Sequence, residues 1–318
     1  MGEHVDQMVL SSQNIALMCP GQASQKVGMC EDIYINSDFG KKHIDLANDI
    51  LGYDIKNIMF SGPIDLLTKT IHTQPAIFIA SYVIGSILIQ NGLIPKSIAG
   101  HSVGEVSAYT LAKSLSFEDG LKLVQFRATA MHEAGLANPG SMAAVIGMDE
   151  KILEEICVNY SKGVVCVANY NSRNQAVISG DSAAIEDISS KLLEAGAIKV
   201  IKLNVSGAFH SPLMETAKDK LGEFILNISI SDAIFPVYSN TSASPVSEKN
   251  KIANLLIEQL VSPVLWYKSV EKMIQDGIKT GIEIGPGKVL QGLSKRIDSA
   301  LNMYGAETHQ DILNLGHV

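Results

Sequence analysis

The sequence has no apolar run long enough to cross a bilayer, no cysteine pair at metal or redox spacing, and no excess of positive charge. The longest apolar stretch, Ala76 to Ile89, is broken by Ser81, Gly85 and Ser86, and reads as a buried helix rather than a membrane span. The first ten residues carry Glu3 and Asp6 and no apolar core, so no secretory signal is expected there. Cys19, Cys30, Cys157 and Cys166 are scattered, without C-x-x-C; each is expected to be a small buried residue in a reduced, cytoplasmic protein that binds no metal. With 25 Lys plus Arg against 33 Asp plus Glu, the net charge is -8, and aromatics make up 6 %. That combination offers neither a basic field nor a stacking surface, so nucleic acid is not expected as a partner.

What is present is a globular composition, 46 % hydrophobic and 18 % charged over 318 residues. This is enough for one large α/β domain, or a large one carrying a smaller insert, to bury a core without disulfides. Ile15 to Met18 reads as a buried strand that stops at Pro20-Gly21-Gln22. Thr73 to Ile89 reads as a helix begun by Thr73 with Pro75 in its first turn. A strand follows at Ser97 to Ala99, then helices at Glu105 to Lys113 and Phe117 to Ala134, the second with an apolar stripe of Phe117, Leu121, Val124, Ala128 and Met131. Alternation of this kind implies a mostly parallel sheet with covered faces.

From residue 138 to 205 the pattern changes. Strands at Met142 to Met148, Val164 to Asn169, Gln175 to Ser179 and Ile198 to Val205, with helices at Glu150 to Tyr160 and Ala183 to Ala195, spell βαββαβ, a ferredoxin-like insert. The expected organisation is therefore an α/β-hydrolase-like catalytic domain from residues 1–137 and 206–318, with a small domain at 138–205. Further strands are expected at Ile234 to Ser239 and Thr280 to Ile284, and helices at Asn250 to Leu260 and Tyr267 to Asp276.

Strand, Gly100-His101-Ser102-Val103-Gly104, helix is the context of a nucleophile elbow, in which the serine hydroxyl projects from a tight reversal facing a helix N-terminus. The plain alternative is a glycine-bounded turn. Of eight histidines, His210 is the best base, since it follows a strand end in the loop Ser206 to Pro212; the alternative is a surface loop histidine. His4, His43 and His72 lie on segments with no evident route to the elbow, His132 sits on the helix after Ala130, His309 and His317 lie in a polar tail, and His101 is locked on the opposite side of the turn. Asp149, Glu154, Glu155, Asp181, Glu186 and Asp187, between Ser102 and His210, fall on the inserted unit, none of them well placed. Either a backbone carbonyl orients the histidine or the triad reading fails. Arg127 lies beside the apolar stripe, where a guanidinium needs an anionic partner, an internal carboxylate or an acidic substrate.

Seven separated motifs agree in order: Pro20 to Gln25, Gly100 to Glu105, Arg127 with Met131, Asn169 to Asn171, Phe209-His210-Ser211, Gln259 in Q-L-V-S-P-V-L-W, and Gly285 to Lys288. As a set they resemble the malonyl-CoA:acyl carrier protein transacylases, including the discrete acyltransferases of fatty acid and polyketide synthesis, from about Ile15 to Asp298. The resemblance implies that Ser102 is acylated by malonyl-CoA, with His210 as general base and then acid. The N–H groups of Gln22 and Val103 would form an oxyanion hole. Arg127 would hold the malonyl carboxylate, and the main-chain carbonyl of Gln259 would orient His210. It also implies that Met131, Asn169, Phe209 and His101 meet the substrate, that no cofactor is needed, and that a monomer hands the acyl group to holo acyl carrier protein. The carrier of this family is acidic, so Lys191, Lys199, Lys202, Lys268, Lys272, Lys288, Lys295 and Arg296 are candidates for a local docking patch. Two departures stand out: Ala23 replaces a common glycine, which discourages positive φ there, and Cys19 stands where phenylalanine is frequent. A serine esterase and a non-catalytic docking subunit are the competing readings.

Overall fold

The computed structural model describes residues 14–315. β1 (Ile15–Cys19) is five buried residues, the unbroken apolar run of a strand covered on both faces. Helices α1 (Glu31–Asn36), α2 (Asp38–Leu51), α3 (Ile55–Ser61) and α4 (Ile64–Leu67) follow, before the long α5 (Thr70–Gln90). α2 starts where the Ser37 side chain accepts from the Gly40 N–H, and it buries Ile44, Ala47 and Leu51 at helical spacing. The apolar stretch Ala76 to Ile89 falls short of a membrane span, but α5 extends beyond it at its N-terminal end and is as a whole long and apolar enough to cross one; 89 % of its apolar window lies inside the protein, where it is a core helix.

α5 begins three residues earlier than the sequence predicted, so Pro75 sits inside it and not in its first turn. The proline ring cannot donate to the carbonyl of Ile71, and the Tyr53 hydroxyl donates there instead, at 3.3 Å. Thr73 does not cap the helix; its hydroxyl donates to the carbonyl of Leu67 at 2.5 Å.

β2 (Ser97–Gly100) leads into α6 (Val103–Leu111) and α7 (Phe117–Ala137). The smaller unit then runs β3 (Gly140–Ile146), α8 (Glu150–Val158), β4 (Val165–Ser172), β5 (Gln175–Asp181), α9 (Ser182–Glu194) and β6 (Lys199–Lys202). Its sheet order, β4-β5-β3-β6 with every pair antiparallel, is that of a ferredoxin-like fold. Along β3, Ala143 and Val145 pack into a core with Ile185 and Ile188 of α9, while Met142 and Ala144 face the other way, toward the large unit. β6 stops at Lys202, short of the predicted Val205. Leu203 still donates to the carbonyl of Met142 at 2.9 Å, and the chain then leaves the sheet so that Asn204 and Val205 line a cavity.

A short 3-10 turn (Pro212–Met214) and α10 (Glu215–Ile225) return the chain to the large unit. There it forms β7 (Val237–Tyr238), β8 (Pro245–Val246), α11 (Lys249–Glu258), α12 (Trp266–Gln275), β9 (Thr280–Ile284), α13 (Val289–Ile297), β10 (Asn302–Ala306) and α14 (His309–Leu315). The strand predicted at Ile234 to Ser239 shrinks to β7: Pro236 has no N–H, and the Ile234 N–H goes to the carbonyl of Ala112. The large sheet has the order β10-β9-β1-β2-β7-β8, parallel except for its last pair. The fold is thus α/β, a mostly parallel sheet with helices on both faces joined to an antiparallel unit. Backbone bonds tie the two, from Tyr170 N–H to the Val264 carbonyl at 2.9 Å and from Val264 N–H to the Ala168 carbonyl at 2.8 Å.

The hydroxyl of Tyr53 substitutes for a helix donor, so Tyr53→Phe should lower the unfolding free energy in urea by about 1 kcal/mol without changing the fold. An unchanged stability would show that the Ile71 carbonyl does not depend on this contact.

Candidate active site

β1 and β2 lie side by side and parallel, with Cys19 opposite Gly100, so the loops leaving both strand ends meet at one edge of the sheet. Between β2 and α6 the chain reverses within two residues, and Ser102 takes φ 52 and ψ −111, a conformation that L-residues rarely hold. Two glycines make the reversal possible. A Cβ on Gly100 would fall 2.0 Å from the carbonyl carbon of Gly104, and a Cβ on Gly104 would fall 2.2 Å from the carbonyl oxygen of Cys19. The G-x-S-x-G spacing is therefore a steric requirement of this turn. Asn240, just after β7, holds it in shape: its side-chain oxygen accepts from the Ser102 N–H at 2.8 Å, and its amide donates to the Gly100 carbonyl at 2.6 Å.

His210 arrives from the loop after β6 and also holds a positive φ, of 56. Its Nε2 lies 2.8 Å from Ser102 Oγ, and its Nδ1 lies 2.8 Å from the main-chain carbonyl of Gln259. A carbonyl can only accept, so Nδ1 carries the proton and Nε2 is left to receive one from the serine. Burial, and next the nearby charge of Arg127, lower the imidazole pKa from 6.5 to about 3. The ring is thus neutral in the resting protein. No carboxylate bonds to His210 among the described residues, which leaves the backbone carbonyl as its orienting partner.

Arg127, on α7, is 1 % exposed and directs its guanidinium at the same spot. Nη1 donates to Gln74 Oε1 at 2.6 Å; Nη2 donates to Gln259 Oε1 at 2.8 Å and to Ser102 Oγ at 3.0 Å; among the described residues Nε has no hydrogen-bond partner. Of the two partners the sequence left open, an internal carboxylate is not the one found: none pairs with Arg127 among the described residues. Glu105 is the nearest acid. It is separated from Arg127 by the Gln259 amide, which donates to one carboxylate oxygen, while the Asn240 N–H donates to the other at 3.3 Å. Burial raises the Glu105 pKa to about 7 and lowers that of Arg127 to about 10, so the guanidinium stays charged.

These groups border a cavity of about 460 Å³ between the two units, lined also by Gln22, Val103, Met131, Asn169 and Phe209. Val103 is the first residue of α6, so its N–H has no intrahelical acceptor. His101 lines the same cavity rather than the opposite side of the turn, its Nε2 2.9 Å from Asn171 Oδ1. Ala23 takes φ 84 although it is not glycine, and its N–H donates to Gln25 Oε1 at 2.8 Å, at a steric cost of about 1 kcal/mol.

The remaining histidines serve elsewhere. His43 packs against Phe39 and Phe117, His72 against Tyr53, and His309 opens α14 with its N–H on Asp32, so it is not in a loose tail. His4 and His317 lie outside the described residues. Half of the basic residues considered for docking are already paired: Lys191 with Asp187, Lys202 with Glu186, Lys268 with Glu150 and Lys272 with Asp276. Gln74 and Asn240 escaped the sequence reading because each is a lone amide far in the chain from the group it holds. The only signal for Gln74 was its place next to Pro75 in an otherwise apolar stretch.

With its pKa depressed, His210 should remain the neutral Nδ1–H tautomer by nitrogen-15 NMR down to about pH 5. A resonance that titrates near 6.5 and vanishes in His210→Ala would contradict this.

Residues 17–308 match the family described as acyl transferase domain. A malonyl CoA-acyl carrier protein transacylase of Bacillus subtilis is 41 % identical over 289 residues, 90 % of this chain and 91 % of the relative. A crystal structure described as an acyl-carrier-protein-S-malonyltransferase from Bartonella henselae superposes with a TM-score of 0.92 at 35 % identity, over 96 % of this chain and all of that one. A solved complex of a type II PKS acyl-carrier protein with its malonyl-transacylase also matches, with a TM-score of 0.92 at 34 % identity, over 95 % of this chain and 98 % of that one. An elbow serine, a neutral histidine and a buried arginine thus sit on a fold and a sequence shared over at least nine-tenths of the chain with these enzymes, and the chain belongs to the acyl transferase family.

Proposed function

We propose that this enzyme moves the malonyl group from malonyl-CoA to the phosphopantetheine thiol of an acyl carrier protein, by way of a malonyl ester on Ser102. The observation that carries the reading is the buried guanidinium of Arg127, 3.0 Å from the nucleophilic oxygen and, among the described residues, without a carboxylate bonded to it. A malonyl group has a free carboxylate at the far end of a short acyl chain. Bound at Ser102, it can present that carboxylate to Arg127 in a two-point contact that a neutral acetyl group cannot make.

In the first half-reaction, Ser102 Oγ attacks the thioester carbon as its proton passes to His210 Nε2. The N–H groups of Gln22 and Val103 receive the oxyanion, supported by their place on the cavity wall and by the helix end at Val103. The carbon–sulfur bond then breaks, and the departing CoA sulfur takes the proton from Nε2. In the second half, His210 accepts the proton of the carrier thiol, that sulfur attacks the ester, and Ser102 Oγ recovers the proton as its bond to the acyl carbon breaks. Met131, Asn169, Phe209 and His101 shape the wall around the acyl chain. No cofactor has a role in this scheme.

Carrier docking falls to Lys288, Lys295 and Arg296 on and beside α13, whose Leu290 and Leu293 border the cavity. Arg296 reaches Gln175 at the rim, with 2.8 Å from Nη1 to Oε1. The solved polyketide complex favours a second reading of the pathway, in which the same transfer loads a polyketide carrier. The proposal extends to a monomer in the cytoplasm; the four unpaired cysteines speak for a reducing compartment.

Incubation with malonyl-CoA should give a malonyl adduct by intact mass that Ser102→Ala lacks and that holo carrier protein removes. Arg127→Ala should slow malonyl loading on the order of a hundredfold or more, while acetyl loading holds or rises. Equal losses for both acyl groups would overturn the assignment of Arg127, and a water-labile ester with no transfer to the carrier would favour an esterase.

A further inference from the structure

The partners of Arg127 share a property that its position alone does not require: among the described residues, every oxygen that fixes the guanidinium is uncharged. Gln74, on α5 and 2 % exposed, accepts from Nη1 at 2.6 Å. Gln259, fully buried, accepts from Nη2 at 2.8 Å. The third oxygen is the Ser102 hydroxyl. Buried arginines are ordinarily neutralised by carboxylates, because an isolated charge in a dry interior is costly. Here an acid is close by, yet Glu105 meets the far side of the Gln259 amide and not the guanidinium.

A carboxylate in place of either glutamine would fit the same volume and form a stronger bond to Arg127. It would also cancel the charge. We propose that Gln74 is a specificity-determining positioning residue: it and Gln259 hold the guanidinium from either side with neutral amides, so that the acyl group's own carboxylate is the first carboxylate to bond Arg127. Gln74 acts through Arg127. Its other amide atom, Nε2, has only the thioether of Met131 as partner among the described residues, at 3.5 Å, so none of their polar groups demands a carboxamide there. The inference rests on the malonyl reading above and adds to it that selectivity is set by what the second layer of residues withholds.

The test compares Gln74→Glu with the uncharged Gln74→Met, following Ser102 acylation by malonyl-CoA and acetyl-CoA with intact mass. Gln74→Glu should lower the malonyl-to-acetyl rate ratio on the order of a hundredfold, by giving Arg127 an internal partner. Gln74→Met should keep the ratio within about tenfold of the parent, since the charge survives the loss of one neutral hydrogen bond. A general packing defect slows both acyl groups together and leaves the ratio unmoved. The proposal is overturned if Gln74→Glu retains the parent ratio, or if Gln74→Met loses as much as Gln74→Glu. Should Gln74→Glu not fold, the ratio in Gln74→Met decides alone: retention supports the proposal and collapse overturns it. A parent enzyme that forms no malonyl adduct would instead remove the underlying reading, an outcome separate from either variant's result.

Discussion

A buried positive charge to which no carboxylate among the described residues is bonded is the constraint on which the rest of this site depends. Arg127 is held by two amides and a hydroxyl, and burial lowers its pKa to about 10 without discharging it. Such an arrangement is costly in the empty protein and becomes favourable when an anion arrives. The same charge helps to keep His210 unprotonated, so the group that selects the substrate also keeps the base ready for it. Selection and activation are thus one electrostatic arrangement.

Two strained residues bring the reacting atoms together. Ser102 and His210 both hold positive φ, and each is fixed by backbone contacts from distant parts of the chain: Asn240 on the Ser102 N–H, the Gln259 carbonyl on the imidazole. Gln259 is the common element. Its carbonyl aligns the base, its side-chain oxygen holds Arg127, and its amide donates to the Ser102 carbonyl at 3.1 Å and to Glu105. Because one residue contacts the serine, the histidine and the arginine at once, displacement of any of the three disturbs the others.

Much of this was legible in the sequence wherever the physics is local. The elbow is written in Gly100 and Gly104 because no other residue clears the backbone there, and the βαββαβ unit is written in short alternating runs. What was not legible depends on contacts across the chain. Gln74 reaches Arg127 across 53 residues, and Asn240 reaches Ser102 across 138, with no neighbouring pattern to mark either. The start of α5 was misplaced because Pro75 reads as a first-turn residue unless Tyr53 is known to satisfy the freed carbonyl. α2 is not among the helices expected from the sequence, although a Ser37 cap with Ile44, Ala47 and Leu51 at helical spacing marks it. Ala23 shows the opposite lesson: a residue that disfavours positive φ adopts it because the surrounding loop determines the backbone.

The central claim is that Arg127 is reserved for the substrate's carboxylate. A crystal structure of the malonyl ester on Ser102 tests it most directly. The account predicts both carboxylate oxygens on the Arg127 guanidinium at about 2.8 Å, with Gln74 and Gln259 still in place behind it. A carboxylate turned toward the cavity mouth, with Arg127 still bonded only to neutral oxygens, would contradict it.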